Sequence, residues 1–143
     1  MSAYRRILAV VDLSGDSAAV AGRAAALARD WGSELRLLHV VEFLPIEPMG
    51  DTLVPVVQID EQMQSRAQQQ LVELGATLGL APAACVCTTG AAKNEILRYA
   101  RSYQCDLLVL GSHERHGVSI LVNLTEDTLL HAAPCDLLAV RVR

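Results

Sequence analysis

Rings are scarce in this chain: one tryptophan, one phenylalanine and three tyrosines make up its whole aromatic content, 3% of 143 residues. A core of stacked aromatics is excluded. The 52% apolar fraction must pack as Leu, Val, Ile and Ala, which favours helices laid on a sheet. Long apolar runs are missing too: none reaches the roughly 18 residues needed to span a bilayer, and no cationic stretch followed by an apolar one opens the sequence. No membrane partner is expected, and the reading is cytoplasmic. Basic clusters are also absent. The 12 Lys and Arg residues are scattered among 16 acids, for a net charge of −4, which leaves no footprint for a phosphate backbone and makes nucleic acid an unexpected partner. No CxxC occurs among Cys85, Cys87, Cys105 and Cys135. Only the first two are close in sequence, on the same face of a strand, so buried reduced thiols are expected rather than a redox or zinc site.

What is present is alternation. At this length folding buries about two-thirds of the unfolded surface, enough for one core, and no second domain or internal repeat is visible, so 1–143 reads as a single domain. Arg6 to Asp12 (RILAVVD) is a buried strand. Ser14, Gly15 and Asp16 supply turn and cap chemistry, and the alanine-rich segment Ser17 to Trp31 is a helix with Val20, Ala24, Leu27 and Ala28 inward and Gly32 at its stop. Glu34 to Val41 is the second strand. A loop from Glu42 to Asp60 follows, punctuated by Pro45, Pro48, Gly50 and Pro55. A helix from Asp60 to Leu78 buries Met63, Ala67, Leu71, Leu74 and Leu78, with Gly79 closing it. Ala84 to Thr89 is a strand, Ala92 to Tyr103 a helix, Asp106 to Leu110 a strand ended by Gly111, 120–131 a helix, and Asp136 to Val142 the last strand. Strands alternating with helices pair in parallel through right-handed crossovers. The expected fold is an α/β open parallel five-stranded sheet with helices on both faces.

In such sheets ligands bind beyond the carboxyl ends of the strands, at the topological switch point. Asp12 ends the first strand and Gly111-Ser112-His113 the fourth. A glycine there admits a phosphate close to the backbone, yet GSHERHG is neither GxxxxGK[ST] nor GxGxxG. No catalytic constellation accompanies it. His113 and His116 lack carboxylate or thiol partners nearby in sequence, Ser112 lacks the GxSxG elbow, and His39 in its apolar strand reads as a hydrogen-bonded core residue. His131 and Cys135 read as packing residues flanking the last loop. Asp12 reads equally as a helix-entrance cap and as a ligand contact.

The segments IL-V-VDLS, LLHV, DLLVLGSH and APCDLLAV resemble those of universal stress proteins over essentially the whole chain. The likeness is greatest to the type A subgroup, which carries VDLS and an Asp, here Asp136, before the last strand. The resemblance implies a five-stranded parallel sheet of Rossmann-like kind, adjacent first and fourth strands, and homodimers formed through the last strand, Asp136 to Val142. It also implies a comparison with the family's nucleotide motif, G-x2-G-x9-G-[ST]. Gly111 matches the first glycine, Glu114 stands at the second, and the Gly-[ST] pair falls near Asn123-Leu124, with Thr125 one place on. A carboxylate about 4 Å from a phosphate costs up to about 4 kcal/mol at intermediate dielectric. That deficit weakens binding about a thousandfold.

The expectation is therefore a non-catalytic stress-response protein, a homodimer acting through unidentified protein partners, with no cofactor and a degenerate nucleotide motif. The alternative is a sensor of ATP or another adenine nucleotide held by Asp12, Val40, Gly111, Ser112, His113 and Thr125.

Overall fold

The computed structural model describes residues 4–42, 55–113 and 132–142. In chain order these form β1 (Arg6–Val10), α1 (Ser17–Trp31), β2 (Glu34–Glu42), α2 (Pro55–Thr77), a 3-10 turn (Pro82–Ala84), β3 (Cys85–Gly90), α3 (Ala92–Tyr103), β4 (Leu107–His113) and β5 (Asp136–Val142). The helix expected over 120–131 lies outside the described residues, as do His116 and Thr125.

All pairings are parallel, and the five-stranded sheet runs β3-β2-β1-β4-β5. Side chains alternate across it. Ile7, Ala9, Leu37, Leu107 and Val109 face the layer formed with α1 and α2, whereas Leu8, Leu38, Leu108 and Leu110 face α3. Helix α1 lies close because its buried stripe is Ser17, Val20, Ala21, Ala24, Ala25 and Ala28; small side chains let backbone approach sheet. On the opposite face Arg36 fixes α3 by donating to the Tyr99 hydroxyl at 2.9 Å and lying 4.3 Å from the centre of the Tyr103 ring, a cation–π geometry. Burial, and then the nearby Glu34 carboxylate, push the Tyr103 phenol well above its ordinary pKa, so it stays neutral.

Four local expectations are corrected. Helix α2 begins at Pro55, inside the stretch read as loop. Proline suits a first helical position, where its missing N–H has no intrahelical partner in any case. Met63, expected inward, is 50% exposed, whereas Ala67 and Leu71 of the same helix are buried. Strand β1 stops at Val10 rather than Asp12. Strand β4 does not end at Gly111: it continues to His113, because β5 runs alongside and pairs Gly111 with Val140, Ser112 with Arg141 and His113 with Val142.

The amino end of the sheet is tied across three strands. Asp106 accepts the Arg5 and Arg6 amides on its two carboxylate oxygens at 2.8 and 2.9 Å, and its own amide donates to the Arg6 carbonyl. Glu34 donates its amide to the Arg5 carbonyl, and the Ser33 hydroxyl donates to the Tyr4 carbonyl.

Candidate functional site

The rungs between β1 and β4 end at Ala9↔Val109, while β4 and β5 stay paired as far as His113↔Val142. Beyond Val109 the β1 side of β4 therefore runs past its neighbour, and a crevice opens at the carboxyl ends of the two central strands. The crossovers from these strands leave toward opposite edges of the sheet, which makes this the topological switch point.

The crevice wall on the β1 side is a hydrogen-bonded turn. Val11 donates its amide to the Leu38 carbonyl at 2.9 Å. Its own carbonyl lies 2.7 Å from His39 Nδ1, and since a carbonyl only accepts, Nδ1 carries the proton. His39 is thus hydrogen-bonded, as the sequence implied, but half-buried rather than part of the core. Asp12 follows, exposed, with Oδ1 accepting the Ser14 amide at 3.0 Å and the Ser17 hydroxyl at 3.1 Å. Leu13 between them takes a left-handed φ of 61°, which lets the aspartate fold back on its own chain. The helix N-cap position, Asp16, makes no side-chain cap bond; Asp12 reaches the helix entrance instead.

Asp12 therefore has a structural duty whether or not a ligand contacts it. Asp12→Ala is expected to lower unfolding free energy by about 1 kcal/mol, the usual worth of such a cap, while Asp12→Asn, which keeps an acceptor oxygen, stays near the parent value. Urea denaturation of the two variants checks this.

Of the other residues, Val40 is 8% exposed and pairs with Thr88 of β3, so its side chain belongs to the α3-side core. It stands beyond the last β1–β2 rung, Val10↔Leu38, and only its backbone edge borders the crevice. Gly111 and Ser112 are half-buried on the β4 wall. His113 occupies the last rung with Val142. The structure thus gathers Asp12, the backbone of Val40, Gly111, Ser112 and His113 at one end of the sheet. Glu114 and Thr125 fall outside the described residues. Counted strictly from Gly111, the motif sets Leu124 at the third glycine and Thr125 at the hydroxyl position, so the hydroxyl is kept and two glycines are replaced.

Among the described residues no group of three or more His, Cys, Asp or Glu side chains is placed to hold a metal ion, and no helix is long and apolar enough to cross a membrane. One juxtaposition has no counterpart in the sequence motifs: Cys105 Sγ and Cys135 Sγ lie 3.6 Å apart.

A parallel sheet in this order, with its switch-point crevice between the first and fourth strands, is the arrangement the resemblance implied, and the family model described as universal stress protein family matches residues 3–141. The chain belongs to the universal stress protein family. It is 33% identical over 138 residues to Universal stress protein A homolog 1 of Coxiella burnetii, covering 96% of each chain. It is 30% identical over 144 residues to homolog 2 of the same organism, covering 100% of this chain and 99% of that one. Among solved structures, the universal stress protein UspA from Lactobacillus plantarum superposes with a TM-score of 0.82 at 23% identity, over 99% of this chain and 100% of that one. A universal stress protein crystallised in complex with cAMP gives 0.67 at 16% identity, over 97% and 98%. At these identities the structural likenesses bear on the fold of this universal stress protein and not on its ligand.

Proposed function

We propose that the protein is a non-catalytic, cytoplasmic stress-response module, one universal stress protein domain over 1–143, which works as a homodimer through protein contacts and does not hold ATP tightly. The observation that carries this reading is the carboxylate of Glu114 where the phosphate-binding motif needs a glycine. A negative side chain replaces the close backbone approach that a phosphate requires, and Leu124 removes a second such approach. A deficit of about 4 kcal/mol moves a micromolar site into the millimolar range. The four free thiols suit a reducing compartment.

The homodimer reading is supported by β5, which is the last strand in the sheet order. Its outer edge is a ladder with no further strand among the described residues, and folded proteins usually cover such an edge. A second copy of β5 would cover it with the same residues from both sides.

Native mass spectrometry together with calorimetry tests both halves. The expected result is a two-chain mass without retained nucleotide, and no saturable heat on titration with micromolar ATP. A one-chain mass removes the dimer, and micromolar saturation removes the empty site.

A second reading, a sensor of ATP or another adenine nucleotide, is favoured by the crevice itself, since β4 runs past β1 beside the exposed Asp12. In that case Asp12→Ala and Gly111→Val would both weaken the measured affinity. Unchanged affinity in both would remove the nucleotide from this crevice.

A further inference from the structure

The four cysteines fall into two chemically different pairs. Cys85 and Cys87 sit on β3 against the α1–α2 layer, and burial raises both thiols above the ordinary range. Their thiolates are disfavoured, so they are poor nucleophiles. Cys105 and Cys135 lie on the other side of the sheet, in the α3 layer, 30 positions apart in sequence but with sulfurs 3.6 Å apart. Their meeting is built by the fold. Cys135 directly precedes the first β4–β5 rung, Leu107↔Asp136, and Cys105 lies two residues before it. Cys105 is held by its amide bond to the Ala100 carbonyl at the end of α3, made possible by the left-handed Gln104 (φ 56°).

We propose that Cys105 and Cys135 form a peroxide-responsive dithiol that closes reversibly to an intramolecular disulfide. The gap between the sulfurs has to shorten by roughly 1.5 Å to reach disulfide bonding distance. Both side chains lie outside the β4–β5 ladder, which begins at Leu107↔Asp136.

The two positions are not equivalent. Cys105 is 7% exposed and Cys135 half-buried, so an oxidant reaches Cys135 first. Either sulfur can donate across the gap; with the buried Cys105 as donor, its S–H favours the Cys135 thiolate and lowers that pKa, while Cys105 retains its proton. The chemistry balances with a peroxide as the oxidant. The Cys135 thiolate attacks one peroxide oxygen; an S–O bond forms, the O–O bond breaks, and the departing oxygen leaves as water or an alcohol after taking a proton. Cys105 then gives up its proton and attacks the sulfenic sulfur; the S–S bond forms, the S–O bond breaks, and hydroxide leaves with that proton as water. Two thiols and one peroxide give one disulfide, one water and one further water or alcohol.

The surroundings select the oxidant class. The Cys105 hydrogen bond is the largest influence on Cys135, and burial together with the charges of Asp136 and Asp106, which adjoin the two cysteines in sequence, acts against its thiolate. A neutral peroxide approaches such a site freely, whereas an anionic disulfide such as oxidised glutathione is repelled. Among the described residues no third metal-ligating side chain completes a metal site around the pair. The disulfide would link the two ends of the chain segment that contains β4 with Gly111 and Ser112, so the redox state acts on the strand that forms one wall of the crevice.

The test uses the full, reduced chain exposed to hydrogen peroxide, then alkylated in denaturant and mapped by peptide mass spectrometry. The expected result is loss of two alkylatable thiols per chain, both in one cross-linked peptide pair containing Cys105 and Cys135, restored by dithiothreitol and independent of protein concentration. In Cys105→Ser, Cys135 is expected to be captured as a sulfenic acid by dimedone. In Cys135→Ser, Cys105 is expected to stay alkylatable after the same exposure. The proposal is overturned if Cys135 proceeds to sulfinic acid in the parent chain while Cys105 still alkylates, if Cys85 or Cys87 is consumed first, if the link joins two chains, or if oxidised glutathione modifies Cys135 as fast as peroxide closes the pair.

Discussion

Leu108→Ala is expected to remove about 3–5 kcal/mol of stability, the range for truncating a fully enclosed leucine. Leu108 is 0% exposed, on the interior strand β4, paired with Leu8 of β1 and Leu137 of β5, and it points into the layer with Ile96, Leu97 and Ala100 of α3. Sheet backbones on both sides leave the site little freedom to collapse around the void. The cost therefore belongs toward the upper part of the range. With a total stability of about 5–15 kcal/mol for a domain, the variant keeps a reduced margin, and its melting temperature falls by about 15 °C. Leu108→Met, nearly equal in volume, costs less than about 1.5 kcal/mol. Thermal and urea unfolding of both variants check this; equal losses would mean that volume is not what Leu108 contributes.

Gly75→Ala is expected to destabilise by about 1–2 kcal/mol, although alanine is the better helix former. The glycine lies within α2 where the helix meets the start of β3, and an added Cβ would overlap Cys85 Sγ. Overpacking a buried contact costs about 1–3 kcal/mol, against a helix-propensity gain of at most about 1 kcal/mol. The steric term wins. Removing the obstructing atom reverses the sign: in a Cys85→Ala background, Gly75→Ala is expected to become neutral or mildly stabilising. A double-mutant cycle by urea denaturation isolates that coupling, and a cycle that closes at zero would show that the two residues do not oppose each other.

Elements with their own start and stop chemistry could be read from the sequence. Helices α1 and α3 and strand β5 span Ser17–Trp31, Ala92–Tyr103 and Asp136–Val142, as the apolar spacing and Gly32 implied. The boundaries that failed depend on neighbours. How far β4 continues is decided by whether β5 is there to bond with it, and neither Gly111 nor its flanks carry that information. Where α2 begins was obscured by Pro55, which reads as a breaker in isolation and as a starter once a helix follows it. The crevice was legible because Asp12 and Gly111 mark the ends of two apolar runs that the alternation of elements makes parallel. The cysteine pair was not, since parallel pairing of β4 with β5 joins positions too far apart for any spacing rule to connect.

The lacing of the sheet's amino end by Asp106 divides the molecule mechanically. With Arg5, Arg6, Glu34 and Asp106 joined by these bonds, β1, β2 and β4 are pinned at their roots, and it is β1 and β4 that part toward their tips. Lengthening or rewriting the tip segments leaves the root bonds untouched. A family built on this plan can change what it recognises without relearning how to fold.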